Sequence, residues 1–178
     1  MKYFCLFFFA SLLMLSQLIA QNKDVVNIIP KPLRVELEKG KFSLDNQTQI
    51  FYESNLLEHA KFLAEYIKFA QKTIIPIKEN NSPTGKNYVL LKLDDNFTAD
   101  DEYLIKIQND NVIVTAKHPM GIFYAIQSLR QLFFESKELD CMTIYDKPRF
   151  QYRGMHLDVS RHFHSLEFVK KYIDFLAM

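Results

Sequence analysis

The interval between apolar side chains switches along this chain, and that switch limits the folds open to it. Leu33, Val35 and Leu37 alternate with Arg34, Glu36 and Glu38, a period of two that predicts a half-buried strand. Glu38-Lys39-Gly40-Lys41 reads as a turn and Phe42-Ser43-Leu44 resumes the alternation, so a hairpin is expected here. Thr48 to Tyr52 predicts another short strand. The period then lengthens: Leu56, Ala60, Leu63, Ala64, Ile67 and Ala70 share one helical face, with Lys61, Glu65, Lys68 and Lys72 off it. Asn55 and Glu58 have the spacing of a capping box for that helix. Ile74 to Ile77 and Tyr88 to Leu93 predict buried strands around the polar loop from Glu79 to Asn87. Alternation returns at Tyr103, Ile105 and Ile107, and the turn Asn109-Asp110-Asn111 leads into Val112-Ile113-Val114 as a second hairpin. Gly121 precedes a second amphipathic helix through Ile122, Ala125, Ile126, Leu129, Leu132 and Phe133. After a strand at Met142 to Tyr145, Asp146-Lys147-Pro148 marks a boundary. The fold class expected is α+β: residues 21–147 form a mainly antiparallel sheet with two helices, enough to bury a core.

The first twenty residues stand outside that fold. MKYFCLFFFASLLMLSQLIA is one positive charge, an apolar core and a small residue at Ala20. That is the layout of a secretory signal peptide, residues 1–20, with cleavage before Gln21. An uncleaved membrane anchor is the competing reading, since about 20 apolar residues also span a bilayer. The expectation is an exported protein, periplasmic or secreted, with no stable membrane span after cleavage. Removal of Cys5 with that segment leaves Cys141 as the single thiol, so no intramolecular disulfide forms. Beside Met142, Cys141 is expected to be a small core residue.

Composition excludes further classes. Lys+Arg 22 against Asp+Glu 21 gives no basic surplus to hold phosphates, and no nucleic-acid partner is expected. Only four glycines occur, at 40, 85, 121 and 154, too far apart for a phosphate-cradling loop. No Cys–Cys or Cys–His pair has metal-ligand spacing. His162 and His164 would point the same way in an extended stretch, but two ligands without a third do not make a zinc site. Neither a metal nor a cofactor is expected.

Beyond Pro148 the pattern changes. Met155 to Val159 predicts a short apolar strand, Ser160 to Ser165 a loop, and Leu166, Val169, Tyr172, Ile173 and Leu176 a helix capped by Ser165. One β/α unit cannot cover both faces of its strand, so residues 148–178 are not a fold by themselves.

Three segments carry a family resemblance: Ile28-Ile29-Pro30-Lys31-Pro32, the helix Gly121 to Leu132, and above all Asp146 to Phe163, read as DKPRFQYRGMHLDVSRHF. Together they resemble glycoside hydrolase family 20, the β-N-acetylhexosaminidases, in its bacterial form. The resemblance runs over almost all of the chain after residue 20. It implies an exported, exo-acting enzyme that removes terminal β-linked N-acetylglucosamine or N-acetylgalactosamine from glycans or chitooligosaccharides. It also implies a TIM barrel whose site lies at the C-terminal ends of its strands. Residues 148–178 would be the first β/α unit of that barrel, incomplete here and dependent on the remainder. A non-catalytic exported carbohydrate-binding or scaffold module is the alternative.

By the same resemblance, Arg161 is the substrate-binding residue, contacting hydroxyls of the terminal sugar, with Asp158 behind it in a supporting role. A planar guanidinium with several donors suits neighbouring hydroxyl oxygens. An Arg161–Asp158 ion pair that only shapes the loop is the competing reading. Arg149 and Arg153 are expected to join the two parts of the chain. Asp101-Glu102 copies the family's catalytic pair in letters only: it leads into the strand at Tyr103 and is expected to be a solvated strand start. Family 20 uses the substrate's own acetamido group as nucleophile, aided by an Asp that orients it and a Glu that acts as acid and base. Both are expected further along the barrel than residue 178, so no catalytic residue is assigned in this chain.

Overall fold

A computed structural model describes residues 26–150 and 152–177. The export segment expected at residues 1–20 lies outside the described residues. Seven strands, β1 (Arg34–Ser43), β2 (Gln49–Tyr52), β3 (Ile77–Glu79), β4 (Tyr88–Leu93), β5 (Tyr103–Ile107), β6 (Asn111–Ala116) and β7 (Glu138–Asp146), form one sheet in the order β1-β7-β5-β6-β4-β2-β3. Helix α1 (Leu57–Gln71) follows β2, and α2 (Pro119–Glu135) joins β6 to β7. Both pack on one side of the sheet, over a core that includes Ile50, Leu63, Ile105, Val114, Ile126, Leu129 and Phe133. Helix α3 (Leu166–Ala177) closes the described chain.

The sheet is antiparallel in one half and parallel in the other. β1–β7, β7–β5 and β5–β6 run antiparallel, whereas β6–β4, β4–β2 and β2–β3 run parallel. The antiparallel expectation therefore holds for three pairings of six. Helix α1 is the reason for part of the rest, since a helical crossover between β2 and β3 returns the chain in the same direction.

The hairpin expected at residues 33–44 is instead a single strand. Both halves of β1 pair with β7, with Leu37 opposite Met142 and Lys41 opposite Asp140, and the register shifts between them. Extra residues at that shift make a bulge. Gly40 sits in it with φ +118°, and a side chain there would collide with Asn109. What reads as a turn locally is a bulge because β7 is long enough to serve both halves.

The helix starts also differ in detail. A 3-10 turn, Ser54–Leu56, leads into α1, and no side chain caps it. The capping box is not formed: Leu56 takes the cap position fully buried, and Glu58 pairs with Lys61 at 2.7 Å on the surface. Helix α2 is capped by His118, whose Nδ1 accepts from the Met120 N–H at 3.3 Å, with Pro119 at its first turn. Gly121 lets this turn approach the sheet. A Cβ there would stand 2.5 Å from the Glu102 carbonyl oxygen and 2.8 Å from Ala116 Cβ. Gly121→Ala is expected to lower stability by about 1–3 kcal/mol through overpacking. Urea denaturation reads this directly, and an unchanged midpoint would mean that the contact is loose.

Between residues 152 and 165 the described chain forms neither helix nor strand. Met155 to Val159, expected as a strand, pairs with no strand among the described residues. The helix after it forms as expected. Ser165 Oγ accepts from the Phe168 N–H at 3.2 Å. None of the α3 residues is buried, and Ile173, Phe175 and Leu176 are exposed.

Candidate functional site

The loop between the extended stretch and α3 is organised by one carboxylate. Asp158 Oδ1 accepts from the backbone N–H of Ser160 at 2.8 Å and of Arg161 at 3.3 Å. These bonds reverse the chain after Val159, as Asp side chains do in local turns. The other oxygen, Oδ2, lies 3.6 Å from Arg161 Nε. One side chain thus sets the turn and holds the guanidinium beside it. The Arg161 side chain is 85% exposed and that of Asp158 46% exposed. An exposed ion pair of this kind contributes little to stability. Its effect is positional, restricting the guanidinium of Arg161, which still faces solvent.

Around that turn the side chains are open. His162 and Phe163 are exposed, and His164 stacks on Phe168 with ring centroids 4.6 Å apart. The Tyr172 hydroxyl donates to the His156 carbonyl at 3.4 Å, tying α3 to the stretch before the loop. Among the described residues, no three His, Cys, Asp or Glu side chains gather where a metal could bind. Arg153 reaches back to the first unit, its guanidinium 4.7 Å from the Tyr124 ring on α2, a cation–π contact. Arg149 is exposed and makes no such contact among the described residues.

Glu102 departs from its expected place. It is not a solvated strand start but a buried carboxylate, 6% exposed. Its Oε1 accepts from the Tyr145 hydroxyl at 2.6 Å, and Oε2 accepts from Thr98 N, Thr98 Oγ1 and Ala99 N at 3.1, 2.9 and 3.2 Å. Burial pushes its carboxyl up, but the bonds from Tyr145, Thr98 and Ala99 outweigh it and hold the group below the usual carboxylate range. The Tyr145 hydroxyl is raised in turn, chiefly by this bond. Both oxygens of Glu102 are bonded to its own loop and to β7, so it fixes structure. No local signal separates this Glu from its neighbour Asp101; the donors come from Thr98, Ala99 and the distant Tyr145.

Cys141 is buried, donates to Asn109 Oδ1 at 3.1 Å, and has its thiol pushed up, first by burial. A thiol in that state is a poor nucleophile.

Comparison with known proteins matches residues 25–147 to the model described as glycosyl hydrolase family 20, domain 2, and residues 150–178 to the family 20 catalytic domain. A beta-hexosaminidase of Porphyromonas gingivalis is 32% identical over 165 residues, 86% of this chain and 21% of that protein. Among solved structures, a GH20 exo beta-N-acetylglucosaminidase from Vibrio harveyi in complex with N-acetylglucosamine superposes with a TM-score of 0.70 and 31% identity, over 84% of this chain and 23% of that one. The GH20 beta-N-acetylhexosaminidase from Streptomyces coelicolor gives a TM-score of 0.73 and 30% identity, over 83% of this chain and 31% of that one. The chain thus spans between about a fifth and a third of the length of these relatives.

Proposed function

The chain belongs to glycoside hydrolase family 20, and from that premise we propose that it serves an exported, exo-acting β-N-acetylhexosaminidase. The substrate is a glycan or chitooligosaccharide ending in β-linked N-acetylglucosamine or N-acetylgalactosamine. Residues 21–147 are the accessory α+β domain of that enzyme, and residues 148–178 open its catalytic barrel. Cleavage is retaining and substrate-assisted, with the catalytic Asp-Glu pair supplied from outside these 178 residues. Arg161 contacts the hydroxyls of the terminal sugar, and Asp158 positions it.

The observation that carries this reading is the turn at residues 158–161. A guanidinium held on one side by Asp158 and exposed on its own side chain offers donors to a ligand at reduced entropic cost. Support for the substrate class comes from the relatives, whose names specify hexosamine hydrolysis.

A chimera tests the reading. With the corresponding segment of a solved family 20 hexosaminidase replaced by this chain, the folded product is expected to release p-nitrophenol from p-nitrophenyl β-N-acetylglucosaminide. A chimera that folds, retains the relative's Asp-Glu pair and yet shows no turnover would remove the proposal.

A further inference from the structure

The face of the sheet that carries no helix holds a pocket. Along β5 and β6 the core takes Tyr103, Ile105, Ile107, Val112 and Val114, so the alternate residues Leu104, Lys106, Ile113 and Thr115 point the other way. With Lys92 of β4 they floor a concavity of about 460 Å3, walled by the loop at residues 94–97. That volume lies within the range of small-ligand sites.

The wall is fixed at both ends. Asp94 N donates to the Ala116 carbonyl at 2.9 Å, and Asp94 Oδ1 accepts from Asn96 N and Nδ2 at 3.0 and 2.6 Å. The far end hangs on Glu102 through Thr98 and Ala99. Phe97, between these anchors, is half-buried against the pocket. A wall stitched in this way has little freedom left to lose on binding.

The lining has two characters. Phe97, Leu104 and Ile113 are apolar and half-buried. Lys92 and Lys106 bring ammonium groups that pair with no carboxylate among the described residues. Thr115 adds a hydroxyl on a side chain that is only 6% exposed. The charges balance, Lys92 and Lys106 against Asp94 and Glu102. An anion would meet the two carboxylates and a cation the two ammonium groups, whereas an uncharged ligand meets neither repulsion.

We infer that this pocket binds a neutral sugar, a β-linked N-acetylglucosamine unit of the glycan, on the helix-free face of the sheet. The choice of sugar rests on the hexosaminidase reading above. A pyranose ring matches both characters of the lining. Its C–H faces lie on Phe97, Leu104 and Ile113, and its hydroxyls accept from Lys92 and Lys106 and donate to Asp94 Oδ2 and Thr115 Oγ1.

The test is a titration of the chain with N,N′,N″-triacetylchitotriose, followed by backbone amide NMR shifts. Shifts are expected to gather at residues 92–97, 104–106 and 113–115. Lys106→Met keeps the aliphatic stem without the donor and should raise Kd at least about tenfold. Thr115→Val, of like shape, should raise it about fivefold. Mapping on the unaltered chain decides the site even where a variant does not fold. Absence of shifts in the pocket would overturn the inference, as would a Kd unchanged in both folded variants. Tighter pocket binding of a sulfated disaccharide than of the chitotriose would overturn it too, since the ligand would then be an anion. Shifts confined to residues 158–161 would remove the pocket and leave the hexosaminidase reading standing. Pocket binding together with an inactive chimera would do the reverse.

Discussion

Glu102→Ala is expected to destabilise the chain by about 2–4 kcal/mol, because hydrogen bonds to a buried charged acceptor are worth about 1.5–3 kcal/mol each and do not add fully. The carboxylate gathers donors from two directions, the loop at Thr98 and Ala99 and the β7 residue Tyr145. Without it, those donors must find water at the end of β5 or remain unpaired. Glu102→Gln keeps acceptor capacity on one side only and should fall between wild type and alanine. The pH dependence has a definite sign. A carboxyl held below its ordinary value when folded contributes stability that is fully present above the unfolded value, about 4.3, and is lost as pH falls through the lower, folded value. Urea midpoints should therefore separate wild type from Glu102→Ala by the same amount at pH 7 and pH 6, and converge under acid. Identical midpoints at pH 7 would show that the network is decorative.

Expressed alone, the chain is expected to release no p-nitrophenol from p-nitrophenyl β-N-acetylglucosaminide above the buffer rate. Substrate-assisted hydrolysis needs a general acid poised beside the leaving oxygen, typically a carboxyl whose pKa is raised. In the part matched to the catalytic domain the acids are Asp158, Glu167 and Asp174. Asp158 is committed to its turn and to Arg161. Glu167 lies in the first turn of α3 and Asp174 two turns later, both exposed on a helix that buries nothing. In the other part, Glu102 is bonded at both oxygens and shifted in the unsuitable direction. Since glycosidase rate accelerations are many orders of magnitude, at least about 10^6-fold, even a weakly competent acid would be visible. Chain-dependent turnover would mean that a carboxylate has been assigned the wrong role.

Much of the fold was legible because its determinants are local. Tyr88 to Leu93 and Tyr103 to Ile107 form strands over those same residues, and the two apolar helical stripes bury most of the residues that define them, Ala64 and Ala70 being half-buried. What escaped depends on partners distant in sequence. The alternation on either side of Gly40 looks the same whether the chain folds back on itself or runs straight along β7, a hundred residues later. Met155 to Val159 has strand composition, yet a strand exists through its neighbour, and it has none among the described residues. Glu102 looked like surface charge because one of its hydrogen-bond donors, Tyr145, lies on β7, far away in sequence. At the candidate site, the spacing of Asp158 and Arg161 anticipated their pairing. The sheet pocket carried no signal, since Lys92, Lys106 and Thr115 come together only through the pairing of β4 and β5 with β6.

The role of Arg161 can be measured where an acid is supplied. In the chimera, Arg161→Ala should leave Tm unchanged, as its side chain is exposed and its ion pair screened. Loss of a charged hydrogen-bond donor to the sugar should lower kcat/KM by about 10–150-fold. Such a fall, partly reproduced by Asp158→Asn through a loosened guanidinium, is what a sugar-holding arginine requires; kcat/KM equal to wild type in Arg161→Ala would leave the residue as a loop brace and contradict the account.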